Sequence, residues 1–95
     1  MSYYCAERDS VEINFWRSYA GDEVDFILNR EIGVEVKASR SIGLRHLNGL
    51  NALSGLMQLK RKIIVCRESI PKNVNGVEIL PWRDFVEQLW AGEII

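Results

Sequence analysis

The chain has 95 residues, 47% of them apolar and 26% charged, with a formal net charge of −1. Those figures describe one soluble globular domain, near the small end of what holds a core without staples, and leave no room for a second. The longest uncharged apolar runs cover only a few residues, far short of the roughly 20 that cross a bilayer, and the start, MSYYCAERDS, lacks the charged-then-apolar layout of a signal peptide. A cytoplasmic location without membrane contact is expected. Cys5 and Cys66 are too few and too far apart for a disulfide scaffold or a zinc site; both are read as reduced, Cys66 as core filling.

In chain order, the first ten or so residues read as the end of a helix. INFWRS at 13–18 is β-rich, and YAGD supplies a turn before EVDFILN at 23–29, whose alternation marks a strand. Strand alternation puts Val24, Phe26 and Leu28 on one face and Glu23, Asp25 and Ile27 on the other. In IGVEVKAS at 32–39, Val34 and Val36 share one face, Glu35 and Lys37 the opposite one. Three antiparallel strands result. A three-residue connection at 29–31 sets Asp25 opposite Glu35, whereas a two-residue turn sends the carboxylates to opposite faces.

Leu44, Leu47, Leu50, Leu53, Leu56 and Leu59 recur every third residue. Each step of three slips by about 60° around an α-helix, so one straight helix cannot bury all six. The expectation is a helix over 42–54, with Gly55 as a left-handed stop and Leu56 folded back onto Leu50. KIIVCRE at 62–68 reads as a buried strand, SIPKNVNG as a loop and VEIL at 77–80 as a last strand. Pro81 then opens the final helix, WRDFVEQLW, at its first turn. The order β-β-β-α-β-β-α predicts a mixed α/β (α+β) sheet of about five strands covered by helices on both faces. Val24, Phe26, Val34, Val36, Leu50, Ile64 and Cys66 are the expected core. No GxxxxGK[ST] loop is present, so the chain itself is not an ATPase.

Charge is unevenly spread. Residues 1–35 hold eight acids against three arginines, residues 36–67 hold seven basic side chains and no acid, and residues 68–95 hold five acids against two bases. That layout suits carboxylates holding a cation beside Lys and Arg that receive phosphates. GDEVDF at 21–26 followed by VEVK at 34–37 gives Asp25 and then Glu35-x-Lys37. Two carboxylates on adjacent strands supply the oxygen ligands that Mg²⁺ or Mn²⁺ prefers. A lysine two residues beyond one of them shares its strand face, where an ammonium can stabilise charge developing on a phosphate.

The order βββαβ with D…ExK resembles the PD-(D/E)XK nuclease superfamily. FWR, G-x-EVDF, EVK followed by Ser39, a leucine-rich helix, an IIV strand and VEILPW further resemble a domain of unknown function at the C-terminus of bacterial and archaeal AAA-like ATPases. The resemblance covers residues 13 to about 90. It implies a restriction-endonuclease-like fold, Asp25 and Glu35 as metal ligands, and Lys37 as the catalytic lysine. It also implies a C-terminal fragment of a longer chain with an ATPase domain encoded upstream. The helix that often contributes a further acid is truncated, leaving Glu7 or Glu12 as weak candidates.

The expected activity is therefore metal-dependent phosphodiester hydrolysis on DNA, with Arg40, Arg45, Lys60, Arg61 and Lys62 as candidate nucleic-acid contacts. The alternative is a catalytically silent DNA-binding or assembly module. With its first helix truncated, the sheet would be under-covered, so a homodimer is expected. His46 reads as a surface residue, and Trp16, Trp82 and Trp90 as packing residues.

Overall fold

The computed structural model describes residues 3–6, 11–19 and 21–94. Strands β1 (Tyr3–Ala6), β2 (Val11–Arg17), β3 (Glu23–Leu28) and β4 (Ile32–Val36) form an antiparallel meander. The chain then crosses over a 3-10 turn (Leu44–Leu47) and helix α1 (Asn48–Ser54) to β5 (Arg61–Cys66), which runs parallel to β4. A second crossover brings β7 (Val77–Pro81) parallel to β5, with β6 (Lys72–Val74) pairing antiparallel to β7 at the edge. Helix α2 (Trp82–Trp90) follows β7 directly. The described residues thus form one seven-stranded mixed sheet, ordered β1-β2-β3-β4-β5-β7-β6, in an α+β fold.

Each face of the sheet has its own core. Under α1, Leu47, Leu50 and Leu53 pack with Val24, Ile27, Ile64, Cys66 and Ile79. On the opposite face Leu28, Ile32, Val34, Ile63, Val65 and Leu80 pack with Ile94 and Phe85 of α2. β5 is buried on both sides, as its apolar run requires of a central parallel strand.

Two local features set the faces. The β3–β4 turn places Asn29 and Arg30 in the left-handed region, at φ 52° and 59°, and Glu31 N–H donates to the Leu28 carbonyl at 3.0 Å. Pairing nonetheless resumes at Leu28↔Ile32, and the Glu31 carbonyl accepts the Lys60 N–H at 2.7 Å. The connection therefore counts as three residues, the register that aligns Asp25 with Glu35. The second feature is a bulge. Between Trp16↔Val24 and Asn14↔Ile27, β3 carries one residue more than β2. A bulge resets alternation, so Val24 joins Ile27 beneath α1.

Several expectations are corrected. Phe26 and Val36 are not core residues: they are 44% and 51% exposed, on the sheet face opposite α1. The backbone of Tyr3–Ala6 pairs with β2 as a strand rather than ending a helix. The expected loop before VEIL contains β6, turned into β7 by Asn75 and Gly76 at φ 53° and 84°. The expected helix over 42–54 begins as a 3-10 turn, which a three-residue period suits, and becomes α-helical only at Asn48. Gly55 stays right-handed at φ −77°, and Leu56 points to solvent at 72% exposure. The closing turn is right-handed, with the Leu56 and Met57 N–H groups both donating to the Leu53 carbonyl, and Met57 and Leu59 fill the core instead. Pro81 ends β7 and precedes the helix rather than occupying its first turn. Trp16 packs on the core, but Trp82 and Trp90 are 53% and 86% exposed, because α2 buries none of its residues fully. Among the described residues no helix is long and apolar enough to cross a membrane.

Candidate functional site

The even register brings Asp25, Glu35 and Lys37 to the end of the β3–β4 ladder. Regular pairing stops at Phe26↔Val34. One step further the Asp25 carboxylate takes the place of a backbone rung: its Oδ2 accepts the Val36 N–H at 2.8 Å. The bulge makes this possible by rotating Asp25 out of strict alternation and toward the β4 backbone. On its other edge β4 stays paired, Lys37 N–H donating to the Val65 carbonyl at 2.8 Å. Glu35 lies beside Ile64 in the parallel register, facing α1.

Helix α1 closes over Glu35 at Gly49. A Cβ at Gly49 would collide with the Glu23 carbonyl oxygen and stand 2.9 Å from Glu35 Oε2. Only a glycine lets the helix approach this closely. The result is a carboxylate 2% exposed, with Lys37 Nζ 4.0 Å from its Oε1, in charge contact but beyond hydrogen-bond length. Burial pushes the Glu35 pKa from 4.5 up to about 7; Lys37 opposes the rise, while Asp25 and Glu23 add to it. Glu23 is itself held by Arg17 at 3.0 Å, and Lys37 faces Glu35 instead.

The donor set suits a small hard cation. Among the described residues no cluster of three or more His, Cys, Asp or Glu side chains could hold a metal, but Mg²⁺ commonly binds through one or two carboxylates plus water and substrate phosphate. Asp25 and Glu35 are the two carboxylates that would hold such an ion. When bound, such an ion would neutralise phosphoryl charge and acidify a water. The chain's own contribution is a partly exposed Lys37 beside a carboxylate that already resists ionising.

The other candidates disperse. Arg40 is exposed on the loop after β4, and Arg45 on the 3-10 turn. Lys60, Arg61 and Lys62 lie at the start of β5, beside Ile32 and Gly33, at the opposite end of the sheet from Lys37. Lys60 pairs with Glu31 at 3.2 Å. Arg61 grips both Glu78 oxygens at 2.7 and 2.8 Å and donates to the Glu93 carbonyl at 3.0 Å, tying the C-terminal segment to the sheet. His46 is partly exposed, and its Nδ1 accepts the Gly43 N–H at 2.9 Å, capping the 3-10 turn. Glu12 pairs with Arg30 at 3.1 Å, away from Glu35. Glu7 and the Cys5 side chain lie outside the described residues, while Cys66 is a free, buried thiol whose pKa burial raises.

Arg67 and Arg83 escaped sequence reasoning. Both stand with Arg40 around a cleft of about 430 Å³ at the C-terminal ends of β5 and β7. Their signal was positional: Arg67 directly follows β5, and Arg83 lies two residues past the end of β7, in the first turn of α2.

Residues 1–85 match the model of a family described as Domain of unknown function (DUF4143), and the chain belongs to that family. No curated protein and no solved structure matches it.

Proposed function

We propose that this DUF4143 domain is a PD-(D/E)XK nuclease-like module of restriction-endonuclease-like fold that binds Mg²⁺ or Mn²⁺ through Asp25 and Glu35 and hydrolyses phosphodiesters in DNA. The observation that carries the reading is Glu35, a buried carboxylate with a strongly raised pKa, between a second carboxylate and a lysine. Burying an ionisable group disfavours its charged form, and such perturbed groups concentrate where charge is used. Lys37, the only cation paired with Glu35 among the described residues, supports the reading as the group that would stabilise charge developing on phosphate. The resemblance to the C-terminal domain of AAA-like ATPases supports a role beside such an ATPase.

The test is a cleavage assay on single-stranded, duplex and branched DNA with Mn²⁺. Asp25→Asn should abolish metal-dependent cleavage. Lys37→Met should keep Mn²⁺ bound and lower the rate by about 100-fold or more, because it removes a cation without touching a ligand. Identical, metal-independent results for wild type and Asp25→Asn would refute hydrolysis.

One observation favours a second reading, assembly without catalysis. Phe15, Phe26 and Val36 leave apolar surface exposed on the sheet face opposite α1, and uncovered faces of this kind commonly pair with a partner. A homodimer or a docked ATPase would cover it, and light scattering giving a monomer of 10.9 kDa would remove the homodimer.

A further inference from the structure

Beyond the carboxylate pair, the C-terminal ends of the parallel strands β4, β5 and β7 meet in two adjoining clefts. The larger, of about 430 Å³, is lined by Arg40, Arg67 and Arg83, with Ser69, Glu68 and Asp84. The smaller, of about 280 Å³, is lined by Lys37, Arg67 and Trp82 over Val36 and Val65. Arg67 and Trp82 belong to both, so Lys37, Arg67 and the Arg40–Arg83 pair line one continuous path.

Those cations come from three separate segments: the loop after β4, the residue after β5 and the first turn of α2. Arg40, Arg67 and Arg83 are exposed, and none is in an ion pair with another described residue. Arg83 instead rests on the Trp82 ring, 5.5 Å from its centroid, which fixes where its charge is presented. The acids do not cancel this set. Glu68 is held by Lys72 at 2.9 Å and by the Ile42 N–H at 2.7 Å, interactions that lower its pKa and satisfy its charge. Asp84 remains, one carboxylate against three guanidinium groups.

We propose that this path binds the backbone of a nucleic-acid strand, with successive phosphates on Lys37, Arg67 and the Arg40–Arg83 pair. An open path of separated cations fits a repeating phosphodiester better than a compact phosphoryl group, for which a closed cradle of converging donors would be expected. The inference rests on the reading that the domain handles nucleic acid, but it requires neither metal nor hydrolysis. It also assigns the contacts to Arg67 and Arg83 in place of Lys60, Arg61 and Lys62.

The experiment measures anisotropy of a fluorescein-labelled oligothymidylate strand against the full chain in EDTA, over a salt series. Wild type should bind with strong salt dependence. Arg67→Ala/Arg83→Ala should weaken binding by at least about tenfold and lower the slope of log affinity against log salt by about 0.7 to 1.4, at roughly 0.7 per single-strand phosphate contact, with Arg40 left facing the phosphate it shares with Arg83. Arg40→Ala alone should weaken it by a smaller factor, while Lys62→Ala, at the far end of β5, should not. Thermal melts matching wild type keep a folding defect from mimicking the loss.

Absence of binding, or a loss caused by Lys62→Ala and not by the arginine pair, would overturn the proposal. So would displacement of the strand by thymidine monophosphate or pyrophosphate at equal phosphate concentration, which would mark a small phosphoryl ligand. Because binding is read without metal, failure of the cleavage assay leaves this result standing, and the reverse also holds.

Discussion

Replacing Glu35 with glutamine isolates the cost of burying its charge. The carboxylate is 2% exposed and its pKa rises from 4.5 to about 7. At roughly 1.4 kcal/mol per pH unit, that rise corresponds to something on the order of 3 kcal/mol. The folded state holds the proton more tightly than the unfolded state, so the associated stability is fully present below the unfolded pKa of 4.5 and is lost as pH rises through about 7. Glu35→Gln keeps the shape without ionising. Its stability should approach that of wild type at low pH and exceed it by up to about 3 kcal/mol near pH 8, less whatever the new amide N–H₂ loses by burial. Urea midpoints followed by circular dichroism across this range, in EDTA, read the difference. Adding Mn²⁺ near pH 8 should then raise wild-type stability and leave Glu35→Gln unchanged, because a ligand stabilises only the state that binds it. Parallel pH curves for the two proteins would refute the argument, since they would mean that Glu35 does not titrate between 4.5 and 7.

Two further substitutions test the frame around the site. Gly49→Ala drives a methyl into the Glu23 carbonyl and against Glu35 Oε2; overpacking of this kind should cost about 1–3 kcal/mol in urea denaturation and shift the Glu35 titration as α1 lifts. Arg61→Ala breaks the two-pronged grip on Glu78 and the bond to the Glu93 carbonyl. It should lower stability by about 1–3 kcal/mol while leaving strand binding in EDTA unchanged, which separates its clamping role from phosphate contact.

Strands β2, β3, β4, β5 and β7 were legible because apolar alternation and turn residues are local signals, and WRDFVEQLW matches α2 residue for residue. The register was legible only as a choice: a three-residue connection at 29–31 gives the even pairing and a two-residue turn the odd one, and Leu28↔Ile32 selects the even. The bulge was not. Nothing local in EVDFIL says that β2 spends one residue where β3 spends two, and that count decides which of Val24 and Phe26 is buried. The edge strand β6 was missed although Asn75-Gly76 is the strongest short-range hairpin signal; Pro71 and Lys72 beside it had read as loop. Val36 was misplaced for another reason: its side chain does alternate with Glu35, but the far face lacks a covering element at that point.

Charge counted along the chain points to a site only once the direction of each segment through the sheet is known. The uninterrupted basic stretch 36–67 looks like one phosphate surface in sequence, yet β5 carries Lys60, Arg61 and Lys62 at its start and Arg67 just past its end. Six strand residues separate those ends by about 20 Å. At the first end Glu31 and Glu78 hold two of the three, Lys60 and Arg61, in ion pairs. At the second, the parallel pairing of β4 with β5 brings Lys37 beside Arg67, and α2 adds Arg83 from a segment that is acidic overall. A parallel crossover returns the chain to the same edge of the sheet each time, so residues just after successive strands collect there whatever the composition between them. Arg67 directly follows β5, while Arg40 and Arg83 lie four and two residues past the ends of β4 and β7. Their convergence beside Lys37 follows from topology and could not have been read from the charge of any one segment.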